Sequence, residues 1–143
     1  MENPGAVLFA CNYNAVRSPM AEALMKHLCG QTIYVDSCGV RSGELDSFCV
    51  EVLWEVGIEM DKHRPKSFSD LQDTSFDLIF TLTPEAHHQA LELTRTMAVN
   101  VEYWPTMDPT IATGSREQVL MSYRQVRDAL NERLRKRFST DDS

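Results

Sequence analysis

The apolar and polar positions of the chain fall into alternating periods. Val7 to Ala10 is a continuous apolar run, as expected of a strand covered on both faces of a parallel sheet. Ser18-Pro19 then predicts a helix start, with an N-cap oxygen and a proline at the first helical position. Ala21, Leu24, Met25 and Leu28 recur at i, i+3, i+4 and i+7 on one face of that helix, which Gly30 closes. Thr32 to Ser37 alternates around Ile33, Tyr34 and Val35 and reads as a second strand, followed by a loop at Gly39 to Gly43. Leu45, Cys49, Val52, Leu53 and Val56 form a second helical stripe ending at Gly57. Ile58 to Asp73 is a polar connection broken by Pro65, with a short helical turn at Phe68 to Leu71. Phe76 to Thr81 is the third strand. Thr83-Pro84 repeats the helix start, ahead of a buried face at Ala86, Ala90 and Leu93. Val99 to Tyr103 is the fourth strand, and Trp104 to Gly114 is a loop. Ser115-x-x-Gln118 is a capping box opening a long last helix, buried along Val119, Tyr123, Val126, Leu130 and Leu134. Ser139 to Ser143 reads as a frayed polar tail.

Strands alternating with helices predict an α/β protein with a parallel sheet covered on both faces. Sites in such sheets lie beyond the carboxyl ends of the strands. Cys11 follows the first strand and Asp108 the fourth, so both emerge at one sheet edge.

Composition narrows the class. At 143 residues the chain is expected to form one domain, 1–143, burying about two-thirds of its unfolded surface. The formal net charge of −7 argues against non-specific binding to nucleic acid or membranes. It does not exclude a local anion site, which needs only a few oriented groups. Arg133, Arg135, Lys136 and Arg137 suit the last turns of a helix. Met1 to Gly5 is not basic, and no long apolar run follows, so a cytoplasmic protein with reduced thiols is expected. Cys11, Cys29, Cys38 and Cys49 contain no Cys-x-x-Cys pair, and His27, His63, His87 and His88 do not join them at zinc spacing. No structural metal is therefore expected. Cys29, Cys38 and Cys49 read as small buried residues.

The candidate chemistry lies between the first strand and the first helix. Loop N–H groups feeding a helix N-terminus form an anion cradle. At its base the same groups and the helix dipole favour the thiolate of Cys11 over the thiol. Arg17, six residues on, is able to return to the cradle and hold two oxygens of a phosphate in its planar fork. The bare Cys-x5-Arg spacing carries little; its place between an apolar strand and a helix start carries more. In Met107-Asp108-Pro109, the proline restricts Asp108 to extended backbone, which helps aim a carboxylate.

Cys11-Asn12-Tyr13-Asn14-Ala15-Val16-Arg17-Ser18-Pro19-Met20-Ala21-Glu22 resembles the phosphate loop of low-molecular-weight protein tyrosine phosphatases and of their relatives, the thioredoxin-coupled arsenate reductases. The resemblance continues in order through Asp36-Ser37-Cys38-Gly39-Val40, Glu51 to Ile58, His63-Arg64-Pro65-Lys66, Phe76 to Phe80 and Trp104 to Pro109, covering nearly the whole chain. It implies a four-stranded parallel sheet of order 2-1-3-4 with helices on both faces, a three-layer, flavodoxin-like α/β fold. It implies Cys11 as the nucleophile that forms a phosphocysteine. Arg17 binds the transferred group, Ser18 hydrogen-bonds the thiolate, and Asn14 braces the loop, in a left-handed conformation that asparagine tolerates. Asp108 is acid, then base. Asn12, Tyr13, Asn14, Ala15, Val16 and Ser18 form the substrate-binding loop, and no cofactor or metal is required. His63 matches a family feature and reads as structural. At least one of His87 and His88 is expected at the surface. Trp54 is expected to be partly buried, and Trp104 either walls the site mouth or caps the core.

The chain also departs from the pattern. Tyr13 stands where many family phosphatases have glycine, and is strained there if the position needs positive φ. Val16 replaces a second loop cysteine, so a protective disulfide with Cys11 is not available. Thr110 and Ile111 follow Asp108-Pro109 where many tyrosine phosphatases carry aromatics. Residues 81–95 lack the two shuttle cysteines of the thioredoxin-coupled reductases. The expected function is therefore a phosphatase acting on a phosphorylated protein or small phosphate ester. Arsenate reduction with an external thiol is the alternative, and a phospho-ligand binding module without turnover is the second. The expected state is a monomer or weak dimer, with no nucleic-acid or membrane partner.

Overall fold

A computed structural model describes residues 4–72 and 75–138. The four strands are β1 (Ala6–Cys11), β2 (Tyr34–Gly39), β3 (Leu78–Thr81) and β4 (Asn100–Tyr103). They form one parallel sheet in the order β2-β1-β3-β4. The helices are α1 (Arg17–Cys29), α2 (Ser47–Trp54), α3 (Pro84–Leu93) and α4 (Arg116–Arg137). Alternate residues of β1 feed two cores. Val7, Phe9 and Cys11 pack with α1, α2 and α4; Leu8 and Ala10 pack with α3 and a short 3-10 turn at Phe68–Asp70. The expected fold class and strand order therefore hold.

The first core is anchored by aromatic rings. Phe80 stacks on Phe9 at a centroid separation of 5.2 Å, meets Trp104 at 4.1 Å and receives the edge of Phe138 at 5.7 Å. Trp104 is buried and carries the Arg133 guanidinium over its ring, so it caps the core.

Several boundaries move from the sequence expectation, each for a physical reason. The second strand starts at Tyr34; Ile33 is buried in the core just ahead of it. The third strand starts at Leu78; just ahead of it the Asp77 carboxylate accepts from the amides of Gly5 and Ala6, and its own amide donates to the Ala6 carbonyl. α2 ends at Trp54, and Gly57 turns the chain with φ of +80°, a conformation that suits glycine. Val56, past the helix end, is exposed rather than buried, and Trp54, expected to be partly buried, is exposed as well. Thr83 caps α3, and the capping box of Ser115 and Gln118 opens α4, both as expected. The tail expected at Ser139 to Ser143 lies outside the described residues.

Asp46 joins three elements. Its Oδ1 caps α2 by accepting from the amides of Phe48 and Cys49, its Oδ2 accepts from the Tyr123 hydroxyl of α4 at 2.8 Å, and its own amide donates to Ala15. Burial first, then the Asp46 carboxylate, hold the Tyr123 phenol well above its ordinary pKa. Asp46→Ala removes the cap and leaves the phenol without its acceptor. It is expected to cost about 1–2 kcal/mol in a urea titration with unchanged m-value. A loss under about 0.5 kcal/mol would contradict this linking role.

Candidate active site

The loop from Cys11 to Val16 lies at the carboxyl end of β1, the central position between β2 and β3. Its carbonyls are drawn outward by the segment after β2. Val40, Arg41, Gly43 and Asp46 donate their amides to Cys11, Asn12, Tyr13 and Ala15 at 2.8–3.2 Å. Gly39 permits this close approach, since a Cβ there would lie 2.7 Å from the Asn14 nitrogen. With the carbonyls engaged on one side, the amides turn to the other. Among the described residues, none of the amides from Asn12 to Val16 is paired with a protein acceptor. Five free donors curled before a helix N-terminus form an anion cradle.

Cys11 lies at the floor of this loop, 2% exposed. The Ser18 hydroxyl is 2.9 Å from its sulfur, and the Ser18 amide points at the same sulfur from 3.4 Å. This corrects the sequence reading of Ser18 as a helix cap. α1 begins two residues earlier, at Arg17, with Val16 in the cap position and no side-chain cap. Ser18 is instead committed to the thiol and to the Cys38 carbonyl.

Asn14 holds the loop in shape. It is fully buried, and among described non-glycine residues it alone has positive φ, at 55°. Tyr13 therefore bears no such strain, and it is exposed. The Asn14 amide donates to the hydroxyls of Ser18 and Ser37, each at 2.9 Å. Its oxygen accepts from the Lys66 amide and from His63 Nε2, each at 3.0 Å. Ser37 in turn donates to the Glu22 carboxylate, which also pairs with Lys26. The Asn12 side-chain oxygen accepts from Thr83 at 2.7 Å, tying the loop to the start of α3.

Arg17 and Asp108 meet at the cradle from opposite ends of the chain. Arg17 Nη1 donates to the Thr106 carbonyl at 3.0 Å, and Nη2 lies 3.9 Å from Asp108 Oδ2. Arg17 is largely buried and Asp108 is more open, at 14% and 37% side-chain exposure. Ala15 packs partly buried against the first core, and Val16 is buried. Thus Cys11, Arg17, Ser18 and Asp108 are brought to one edge, with residues 12–16 around them. The other cysteines are free thiols in the interior, and burial pushes the thiols of Cys29, Cys38 and Cys49 above the ordinary value. His87 pairs with Thr81 and stacks on Tyr103 away from this loop, and His88 is exposed.

Sequence reasoning did not find Glu22, Ser37, Thr83 or the Thr106 carbonyl. A signal existed for two of them: Ser37 interrupts a buried strand, and Glu22 falls one helical turn after Ser18, on the same face. The Thr106 carbonyl had none, because a backbone acceptor has no residue signature.

The sequence profile described as low molecular weight phosphotyrosine protein phosphatase matches residues 6–140. The chain belongs to that family. It is 32% identical over 139 residues to an arsenate reductase of Bacillus subtilis, covering 94% of this chain and 95% of that one. Its fold is similar to the low molecular weight protein tyrosine phosphatase of T. tengcongensis, with a TM-score of 0.74 and 26% identity over 92% of this chain and 95% of the other. It is also similar to a Drosophila arginine phosphatase, with a TM-score of 0.72 and 26% identity over 95% and 99% of the two chains.

His63 gives the site a pH signature. Burial holds its imidazole below the ordinary value, with Lys66 acting in the same direction and Glu22 and Asp36 opposing. A folded pKa below the unfolded value, about 6.5, means that the neutral ring's stabilisation is complete above that pH and is lost as pH falls below it. The stability difference between wild type and His63→Gln, which keeps an N–H donor, is expected to shrink from pH 7 to pH 5. Thermal melts at both pH values measure it, and a constant difference would show that His63 does not titrate with folding.

Proposed function

We propose that the chain is a cysteine-dependent phosphatase that hydrolyses phosphate monoesters through a phosphocysteine intermediate. The observation that carries this reading is the approach of Arg17, at the end of the Cys11 loop, to within 3.9 Å of Asp108, with the Ser18 hydroxyl 2.9 Å from the Cys11 sulfur. In the proposed first step the Cys11 thiolate attacks phosphorus while loop amides and the Arg17 fork hold the equatorial oxygens. The Ser18 hydroxyl, freed from the Cys38 carbonyl, donates to the thiolate. Asp108 protonates the departing oxygen, then takes a proton from the water that cleaves the S–P bond. The family membership supports aryl phosphates and phosphotyrosine as substrates, and the arginine-phosphatase neighbour makes phosphoarginine a third compound to assay.

Arsenate reduction is the second reading, favoured by the naming of the curated relatives. A cradle for phosphate also fits arsenate. Reduction takes two electrons, supplied when two thiols become a disulfide. No cysteine lies between residues 81 and 95, and the thiols of Cys38 and Cys49 are buried. The second thiol would have to come from outside, for example glutathione, and this weighs towards the phosphatase.

Hydrolysis of phenyl phosphate is expected to fall by more than about 10³-fold in Cys11→Ser and by about 10²-fold in Asp108→Asn. Arg17→Lys is expected to raise KM and lower kcat together, because a point charge replaces a two-pronged clamp. Glutathione-dependent arsenate reduction without hydrolysis would move the chain to the reductase branch. Phosphate binding with neither activity would leave a binding module.

A further inference from the structure

Thr110 is exposed, two residues after Asp108, in the 3-10 turn Pro109–Ile111. Its amide donates to Asp108 Oδ1 at 2.9 Å, and its hydroxyl donates to the same oxygen at 2.6 Å. Oδ1 therefore has both lone-pair directions occupied. Oδ2 has no hydrogen bond among the described residues and faces Arg17 Nη2 at 3.9 Å. The two oxygens of one carboxyl group are made chemically unlike. A proton on Oδ1 would displace a donor, whereas a proton on Oδ2 displaces nothing.

We propose that Thr110 is a positioning residue for the acid–base step, tying down Oδ1 so that Oδ2 carries the proton and meets the leaving oxygen. The proposal rests on the phosphatase reading above. In the first step the S–P bond from Cys11 forms, the aryl O–P bond breaks, and the Oδ2 proton passes to the departing oxygen, releasing a neutral phenol. In the second step a water oxygen bonds to phosphorus, the S–P bond breaks to return the thiolate, and Oδ2 takes one water proton. The hydroxyl matters beyond capping the turn. The Thr110 amide alone satisfies a cap, but one donor does not stop the carboxyl group from rotating and exchanging its oxygens. A short O–H···O⁻ bond added to the N–H bond does.

The test compares Thr110→Val, which loses the hydroxyl but keeps the shape, with Thr110→Ser, which keeps it. Each is assayed for kcat/KM on phenyl phosphate and on 4-nitrophenyl phosphate. This parameter covers only the steps up to thiol phosphorylation. Phenoxide is a basic leaving group that needs a proton, whereas 4-nitrophenoxide leaves largely without one. Thr110→Val is expected to lose about tenfold on phenyl phosphate and under about threefold on the nitro compound, with Thr110→Ser restoring both. Melting midpoints of both variants check that the turn is intact. Equal losses on the two substrates, no loss on either, or no recovery in Thr110→Ser would overturn the proposal. Asp108→Asn in the same assay separates the layers. If it shows no dependence on the leaving group, the assignment of Asp108 as acid fails, and the role of Thr110 fails with it. If Asp108→Asn shows that dependence and Thr110→Val does not, only the role of Thr110 fails.

Discussion

The geometry of the site depends on one buried side chain in an unfavourable backbone conformation. Asn14 sits at φ of 55°, which costs an L-residue about 1 kcal/mol or more. Four hydrogen bonds, to Ser18, Ser37, His63 and Lys66, offset that cost. Each is worth about 0.5–1.5 kcal/mol net. The left-handed turn at Asn14 helps curl the loop so that its carbonyls face residues 40–46 and its amides face inward. An alanine there would lose both the tolerance for the conformation and the bonds that enforce it.

The start of α1 shows local preference giving way to the site. Ser18 is the best capping residue available, yet the helix begins without it and Val16 stands uncapped. Pro19 brings no N–H to the first turn, the Ser18 amide points at the Cys11 sulfur, and the Ser18 hydroxyl is turned to the same sulfur. Such conflicts between local propensity and global arrangement are concentrated where chemistry is done.

The alternation of strands and helices was legible because periodic burial is a local signal, as at Val7 to Ala10 and along α4. The nearness of Arg17 to Asp108 could be anticipated because one follows the first strand and the other the fourth, at the same sheet edge. The sheet order came from resemblance, since nothing local states which strands pair. What stayed hidden was long-range. Ser18 reads as a cap from its neighbours alone, and only the approach of Cys38 and Asn14 shows its other partners. The Asp77 carboxylate likewise reaches the Gly5 amide, seventy-two positions away, which no neighbouring residue announces. Val56 looked buried because its stripe runs on past Trp54, where α2 ends.

The bond from Arg17 to the Thr106 carbonyl spans 89 positions, and it has a bearing on how the protein is made. A ribosome that has released only the first half of the chain has already supplied the cradle, its sulfur and most of the Asn14 network. The segment that carries the carboxyl group is synthesised later and joins through β4. The parts of the proposed machinery are thus made in a fixed order, the cradle first and the carboxyl group last.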